Sequence, residues 1–109
     1  MSEIRRGRPI PPTEKVPYVL RLYVAGSTAQ SSRAIRNLKA ICETYLPGRY
    51  AMTVVDLYAH PERAREAQVM VAPTLVRQEP LPVRRVVGDL SNTERVLAAL
   101  DLPPIPPQP

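Results

Sequence analysis

The sequence predicts an α/β domain of order β-α-β-α-β-β-α. Two observations at its front lead there: the alternating run Tyr18-Val19-Leu20-Arg21-Leu22-Tyr23-Val24, then apolar residues at helical spacing leading into Met52-Thr53-Val54-Val55-Asp56-Leu57. Strand, helix and strand in that sequence make a parallel crossover unit. The third observation is a pair of short β-type runs, 74–77 and 83–87, followed by a helical pattern.

Each element has a local reason. In the first run, Leu20, Leu22 and Val24 share one face and Arg21 interrupts the other, the period of two that marks a strand. Ala25-Gly26-Ser27-Thr28 turns the chain, and Ser27 with Gln30 three residues on fits a capping box. Ile35, Leu38, Ile41, Cys42 and Tyr45 then recur on one helical face, with Arg33, Arg36, Lys39 and Glu43 on the wet face, until Pro47-Gly48 ends the helix. The Val-Val centre of the second strand predicts cover on both of its faces.

Pro61 suits a first helical turn and Glu62 complements the positive helix end, so Ala64, Ala67 and Val71 give a short second helix with a weak apolar stripe. After Ala72-Pro73, Thr74–Arg77 and Val83–Val87 read as a hairpin joined by Glu79-Pro80-Leu81-Pro82. Gly88-Asp89 turns the chain again. Ser91 with Glu94 fits a second capping box ahead of Val96, Leu97 and Leu100.

Length and composition bound the rest. A chain of 109 residues holds one core, and with 44% apolar residues but neither Phe nor Trp that core is aliphatic. One Cys and one His supply neither a disulfide framework nor a Cys/His zinc site, so no cofactor and no metal are expected. No apolar run approaches the ~20 residues that cross a bilayer. The basic start runs into prolines and not an apolar segment, so it is no secretory signal; a cytoplasmic, reducing location and no membrane partner are expected. Eight of the 14 prolines lie near the ends, which divides the chain into a disordered basic, Pro-rich tail at 1–16, a folded unit at 17–102 and a Pro-rich tail at 103–109.

The element order, with a Pro-Thr pair directly before the third strand, resembles the thioredoxin fold, which implies a cis bond at Pro73. Thioredoxin-fold enzymes carry a CxxC where the first strand meets the first helix, because the helix N-terminus lowers a thiol pKa there. Here that junction reads Ala25-Gly26-Ser27-Thr28-Ala29-Gln30 and has no thiol. Cys42 falls on the apolar helix face beside Leu38, Ile41 and Tyr45, where a cysteine behaves as a small hydrophobe.

A more specific resemblance rests on four segments in order: Leu22-Tyr23-Val24-Ala25-Gly26-Ser27-Thr28, Ala72-Pro73-Thr74-Leu75, the run from Pro82 to Ser91, and Glu94-Arg95-Val96-Leu97. Together they strongly resemble the KaiB family of circadian clock proteins over nearly all of residues 17–102. The resemblance implies a non-catalytic regulator that binds the ATPase ring of a KaiC-type protein, with KaiA as a further clock partner, and a homo-oligomer, dimer or tetramer, at rest. It also implies two folds: the thioredoxin-like form that binds the ring, and a ground state of order βαββααβ. Ala99 and Asp101 are the fold-balance positions by this resemblance. For the partner surface we expect the second strand and second helix, with Tyr50, Thr53, Tyr58, Arg65 and Gln68, and with Arg33 and Arg36 on the first helix keeping the family's basic character.

The chain departs from the family pattern in two places. Where the family reads Val-Leu-Ile-Gly-Leu, this chain has Val96-Leu97-Ala98-Ala99-Leu100. Gly to Ala inside a helix gains on the order of 1 kcal/mol, whereas Ile to Ala weakens a strand, so both changes favour the thioredoxin-like form. The family's lysines on the second strand, the loop after it and the end of the second helix are here Thr53, Ala59 and Gln68, which points to a divergent KaiC or a stress-signalling role.

Three other readings are weaker. Nucleic acid binding needs clustered positive charge, but alternation sends Arg84 and Arg85 to opposite faces. Redox catalysis lacks a second thiol, and His60, Asp56, Asp89 and Glu94 each fit a turn or a cap, so no catalytic constellation is expected. The remaining alternative is a thioredoxin-like docking or sensor module for a histidine kinase or another signalling partner.

Overall fold

A computed structural model describes residues 17–102. The expected tails at 1–16 and 103–109 lie outside the described residues. The elements are β1 (Tyr18–Val24), α1 (Ala29–Tyr45), β2 (Tyr50–Asp56), α2 (Pro61–Ala67), β3 (Thr74–Glu79), β4 (Arg84–Val87) and α3 (Thr93–Ala99). They form one four-stranded sheet of order β2-β1-β3-β4, in which β2 runs parallel to β1 while β3 and β4 are antiparallel to their neighbours.

The alternation in β1 divides the core in two. Leu20, Leu22 and Val24 meet Leu38, Ile41 and Cys42 of α1 and Val96 and Leu97 of α3 in the larger cluster. Tyr23, facing the other way, meets Val55, Val69 and Val76 in a smaller cluster closed by Ala67 of α2. Burying an aliphatic side chain of this size is worth about 2 kcal/mol, so the α1/α3 face supplies most of the cohesion.

Both helix caps sit one residue later than the sequence predicts. Gly26, at φ +64°, and Ser27 are used up in the turn, so Thr28 becomes the N-cap of α1 and its side chain accepts from the Ser31 backbone N–H. At α3 the cap is Asn92, which accepts from the Arg95 N–H, and not Ser91. Asn and Thr cap as well as Ser, so the sequence alone does not choose between adjacent candidates.

Helix α2 also stops short. Gln68 adopts the left-handed conformation, at φ +58°, and the N–H groups of Gln68 and Val69 close back onto the carbonyls of Arg65 and Ala64. This is a Schellman ending on a non-glycine residue. It leaves Val71 outside the helix and exposed, so Val71 is not part of an apolar stripe. The expected cover on both faces of β2 fails as well: Val55 is buried, but Val54 is 41% exposed. Because β2 is a border strand, the helices centred over the sheet do not reach its outer side.

The Ala72–Pro73 peptide is cis, and Pro73 is fully buried, with its carbonyl accepting from the Gly88 N–H. The hairpin loop contains two more cis peptides, at Glu79–Pro80 and Leu81–Pro82.

Candidate functional site

The junction of β1 and α1 is closed by a carboxylate. Asp56, the last residue of β2, accepts at Oδ1 from the backbone N–H of Gly26 (3.1 Å) and of Tyr58 (2.9 Å). The Tyr58 ring lies over Gly26 so closely that a Cβ on Gly26 would sit 3.1 Å from a ring carbon. The loop therefore carries an aromatic lid and no thiol.

Cys42 lies elsewhere, fully buried in the α1/α3 core. Burial, with a smaller contribution from Glu43, pushes its thiol up to about 12, so it is protonated at neutral pH. Among the described residues no three His, Cys, Asp or Glu side chains come together as a metal site. No described helix is long and apolar enough to cross a membrane.

The expected partner residues separate onto two sides of the sheet. Thr53 faces the α2 side in register with Arg21, Val76 and Arg85. Arg65 and Gln68 are exposed on and just after α2, and Tyr58 is 76% exposed in the turn that leads to it. All four are exposed. Tyr50 does not belong with them: it is the register partner of Tyr18, faces α1, and its hydroxyl donates to Glu43. A strand sends residues three apart to opposite faces, which is why Tyr50 and Thr53 cannot share a surface.

Arg33 and Arg36 are exposed on α1, across the sheet from α2. Arg33 pairs with Asp89 at 3.1 Å, tying α1 to the turn after β4. Hydrogen bonds from Ser91 and then from Arg33 hold the Asp89 carboxyl below its ordinary value. Arg84 and Arg85 do point to opposite faces, and Arg85 donates to the Ala67 and Gln68 carbonyls at the end of α2.

The two fold-balance positions sit at the end of α3. Ala99 is its last residue, packed against the larger core, and Asp101 follows at φ +59°. Asp101 Oδ2 accepts from Nη1 of Arg77 at 3.0 Å. Arg77 is the residue that reading the sequence passed over: it is 1% exposed, its Nη2 donates to the Pro82 carbonyl, and its Nε has no partner. The available signal was its position two residues after Leu75, on the core face of β3.

Comparison with known proteins agrees with this geometry. The KaiB domain model matches residues 21–102. The chain is 45% identical to circadian clock protein KaiB3 of Synechocystis over 86 residues, covering 79% of this chain and 84% of that relative. It is 49% identical over 85 residues to the circadian clock oscillator protein KaiB of Synechococcus elongatus, covering 78% and 83%. Among solved structures, mitochondrial thioredoxin 3 of Saccharomyces cerevisiae superposes with a TM-score of 0.65 at 17% identity, covering 81% of each chain. The N-terminal domain of Synechococcus elongatus SasA does so with a TM-score of 0.63 at 20% identity, covering 88% of this chain and 94% of that one. The fold is thioredoxin-like, and the chain belongs to the KaiB family of circadian clock proteins.

Proposed function

We propose that this protein is a non-catalytic clock regulator whose thioredoxin-like form binds the ATPase ring of a KaiC-type protein. The observation that carries the reading is the replacement of thiol chemistry by docking surface. Where a redox enzyme holds its CxxC, Asp56 and Tyr58 close the loop, and Thr53 on β2, Tyr58 in the turn after it, Arg65 on α2 and Gln68 just beyond it are each exposed. Tyrosine and arginine are the residue types that most often anchor an interface, so Tyr58 and Arg65 are its centre.

The family's second fold enters as a population shift. A ring that binds only the thioredoxin-like form draws molecules from any resting state, to the extent of its differential affinity. In this chain Ala98 and Ala99 favour helix at 93–99, and the pair between Arg77 and Asp101 ties the end of that helix to β3. Both features support a larger thioredoxin-like fraction than the family pattern would give.

The test is a pull-down with a KaiC homologue with and without ATP, repeated with Tyr58→Ala and Arg65→Ala. ATP-dependent capture that the two variants weaken at least tenfold is expected. Capture of a histidine kinase without ATP dependence would support the sensor-module reading instead, and indifference to every KaiC homologue would end the ring-binding one.

A further inference from the structure

Among the described residues three side chains carry sulfur, and they differ in what can reach them. Cys42 is fully buried and its thiol holds its proton at neutral pH, so it is neither accessible nor a thiolate. Met52 is half-buried on β2 and packs against the larger core. Met70 is 92% exposed. We propose that Met70 is an oxidation site: peroxide converts its thioether to the sulfoxide, and the sulfoxide releases the protein from its partner ring. The second half of that statement rests on the ring-binding reading above.

The loop after α2 holds Met70 outward for a structural reason. Gln68 ends α2 in the left-handed conformation, the Val69 N–H closes back onto the Ala64 carbonyl, and the Val69 side chain enters the smaller core cluster. Arg85 fixes this end of the loop by donating to the Ala67 and Gln68 carbonyls. At the other end Pro73 is fully buried and the Thr74 hydroxyl donates to the Val71 carbonyl at 2.7 Å. With both ends anchored, Met70 and Val71 are left in solvent, Val71 at 51% exposed. Adjacent apolar side chains held out in water by a fixed loop suit contact with a protein, and Met suits it best because its unbranched thioether adapts to what it touches. They come just after Gln68, one of the residues expected to face the ring.

The step balances with hydrogen peroxide as the oxidant. A sulfur lone pair attacks one peroxide oxygen, and an S–O bond forms as the O–O bond breaks. The proton on the transferred oxygen passes to the departing hydroxide, so the peroxide leaves as water, reduced by the electron pair that sulfur gives up. The product is a polar, chiral sulfoxide where an apolar chain stood. A dithiol-dependent sulfoxide reductase reverses it: the dithiol becomes a disulfide and the oxygen leaves as water. Water already surrounds Met70, so oxidation removes no packing from the free protein, whereas contact with an apolar partner surface would desolvate the S–O group. The effect therefore falls on the bound state and shifts the equilibrium toward release.

The experiment treats the full chain with hydrogen peroxide, removes the peroxide, and reads the same samples by peptide mass and by capture on an immobilised KaiC homologue with ATP. Met70 should gain oxygen at least about tenfold faster than Met52, with Cys42 unmodified. Capture should fall at least about fivefold and return after treatment with a methionine sulfoxide reductase and a dithiol, while circular dichroism shows the fold unchanged. Met70→Leu keeps an apolar chain of similar size without sulfur, so it should be captured like the parent and withstand peroxide, whatever happens at Met1. Oxidation of Met52 as fast as Met70, capture unchanged by the sulfoxide at Met70, or a peroxide-driven loss that persists in Met70→Leu overturns the proposal. An unoxidised parent that the ring never captures overturns the ring-binding reading and with it the release, whereas the order of oxidation is decided by peptide mass without any partner.

Discussion

Removing the carboxylate of Asp101 should cost far more than an ordinary surface ion pair. The pair joins unequal partners: Arg77 is 1% exposed and Asp101 54%. An exposed pair is worth about 0–1 kcal/mol, and breaking a fully buried one costs about 3–5 kcal/mol. Here one end is wet, so the loss is dominated by what happens to the guanidinium. Its Nε already lacks a partner, and replacing the carboxylate by a neutral amide would leave the buried guanidinium charge uncompensated and its Nη1 on a weaker acceptor, a penalty of about 1–3 kcal/mol. The substitution should be Asp101→Asn, because Asn tolerates the positive φ of 59° whereas Ala would add backbone strain.

We expect Asp101→Asn to destabilise the protein by about 2 kcal/mol, read as a fall of about 1–2 M in the urea midpoint or about 10 °C in Tm. Arg77→Met keeps a long unbranched side chain and removes the buried charge, so it should cost less, under about 1 kcal/mol. On the Arg77→Met background, Asp101→Asn should then change stability by less than about 0.5 kcal/mol. Equilibrium unfolding of the four proteins gives the coupling directly. Additive effects, or an Asp101→Asn variant as stable as the parent, would refute the claim that a buried guanidinium depends on this carboxylate.

Restoring the family pattern with Ala98→Ile and Ala99→Gly should cost α3 on the order of 1 kcal/mol, enough to move a two-fold equilibrium roughly fivefold, seen by NMR as a second set of signals for residues 95–101. Cys42 should resist thiol reagents until the protein unfolds. Because its folded pKa, about 12, lies above the ordinary thiol value of 9.0, the stability it contributes is complete below pH 9 and is lost as pH rises from 9 toward 12, which urea midpoints across that range would show. Asp89 acts in the opposite sense: its carboxyl is held below 3.8, so its contribution is present above that pH and is lost as the solution is acidified further, and Asp89→Asn should flatten this acid limb. Gly26→Ala should destabilise by at least about 1 kcal/mol, since it combines a φ of +64° with a Cβ 3.1 Å from the Tyr58 ring, and a thermal melt would show it.

The order of elements was legible because each depends on its own residues. Period-two alternation in Tyr18–Val24 and helical spacing from Ile35 to Tyr45 are local patterns, and they set β1 and α1 without reference to anything distant. The hairpin of β3 and β4 and the separation of Arg84 from Arg85 follow in the same way. Cap positions slipped by one residue because adjacent Ser, Thr and Asn side chains compete almost equally, and only the turn geometry chooses among them.

The proposed site was legible only in part. That Thr53, Arg65 and Gln68 share a side of the sheet follows from strand parity together with the crossover, whereas Tyr50 was assigned to that side against its own parity. The buried Arg77 was hidden because its partners, Asp101 and the Pro82 carbonyl, come from separate parts of the chain, and a charged residue in a strand ordinarily signals solvent. Which strand ends up at a border is likewise a property of the assembled sheet. The valines of β2 announced a strand, but only the order β2-β1-β3-β4 left one of them in water, because exposure is set by what packs alongside and not by the residue itself.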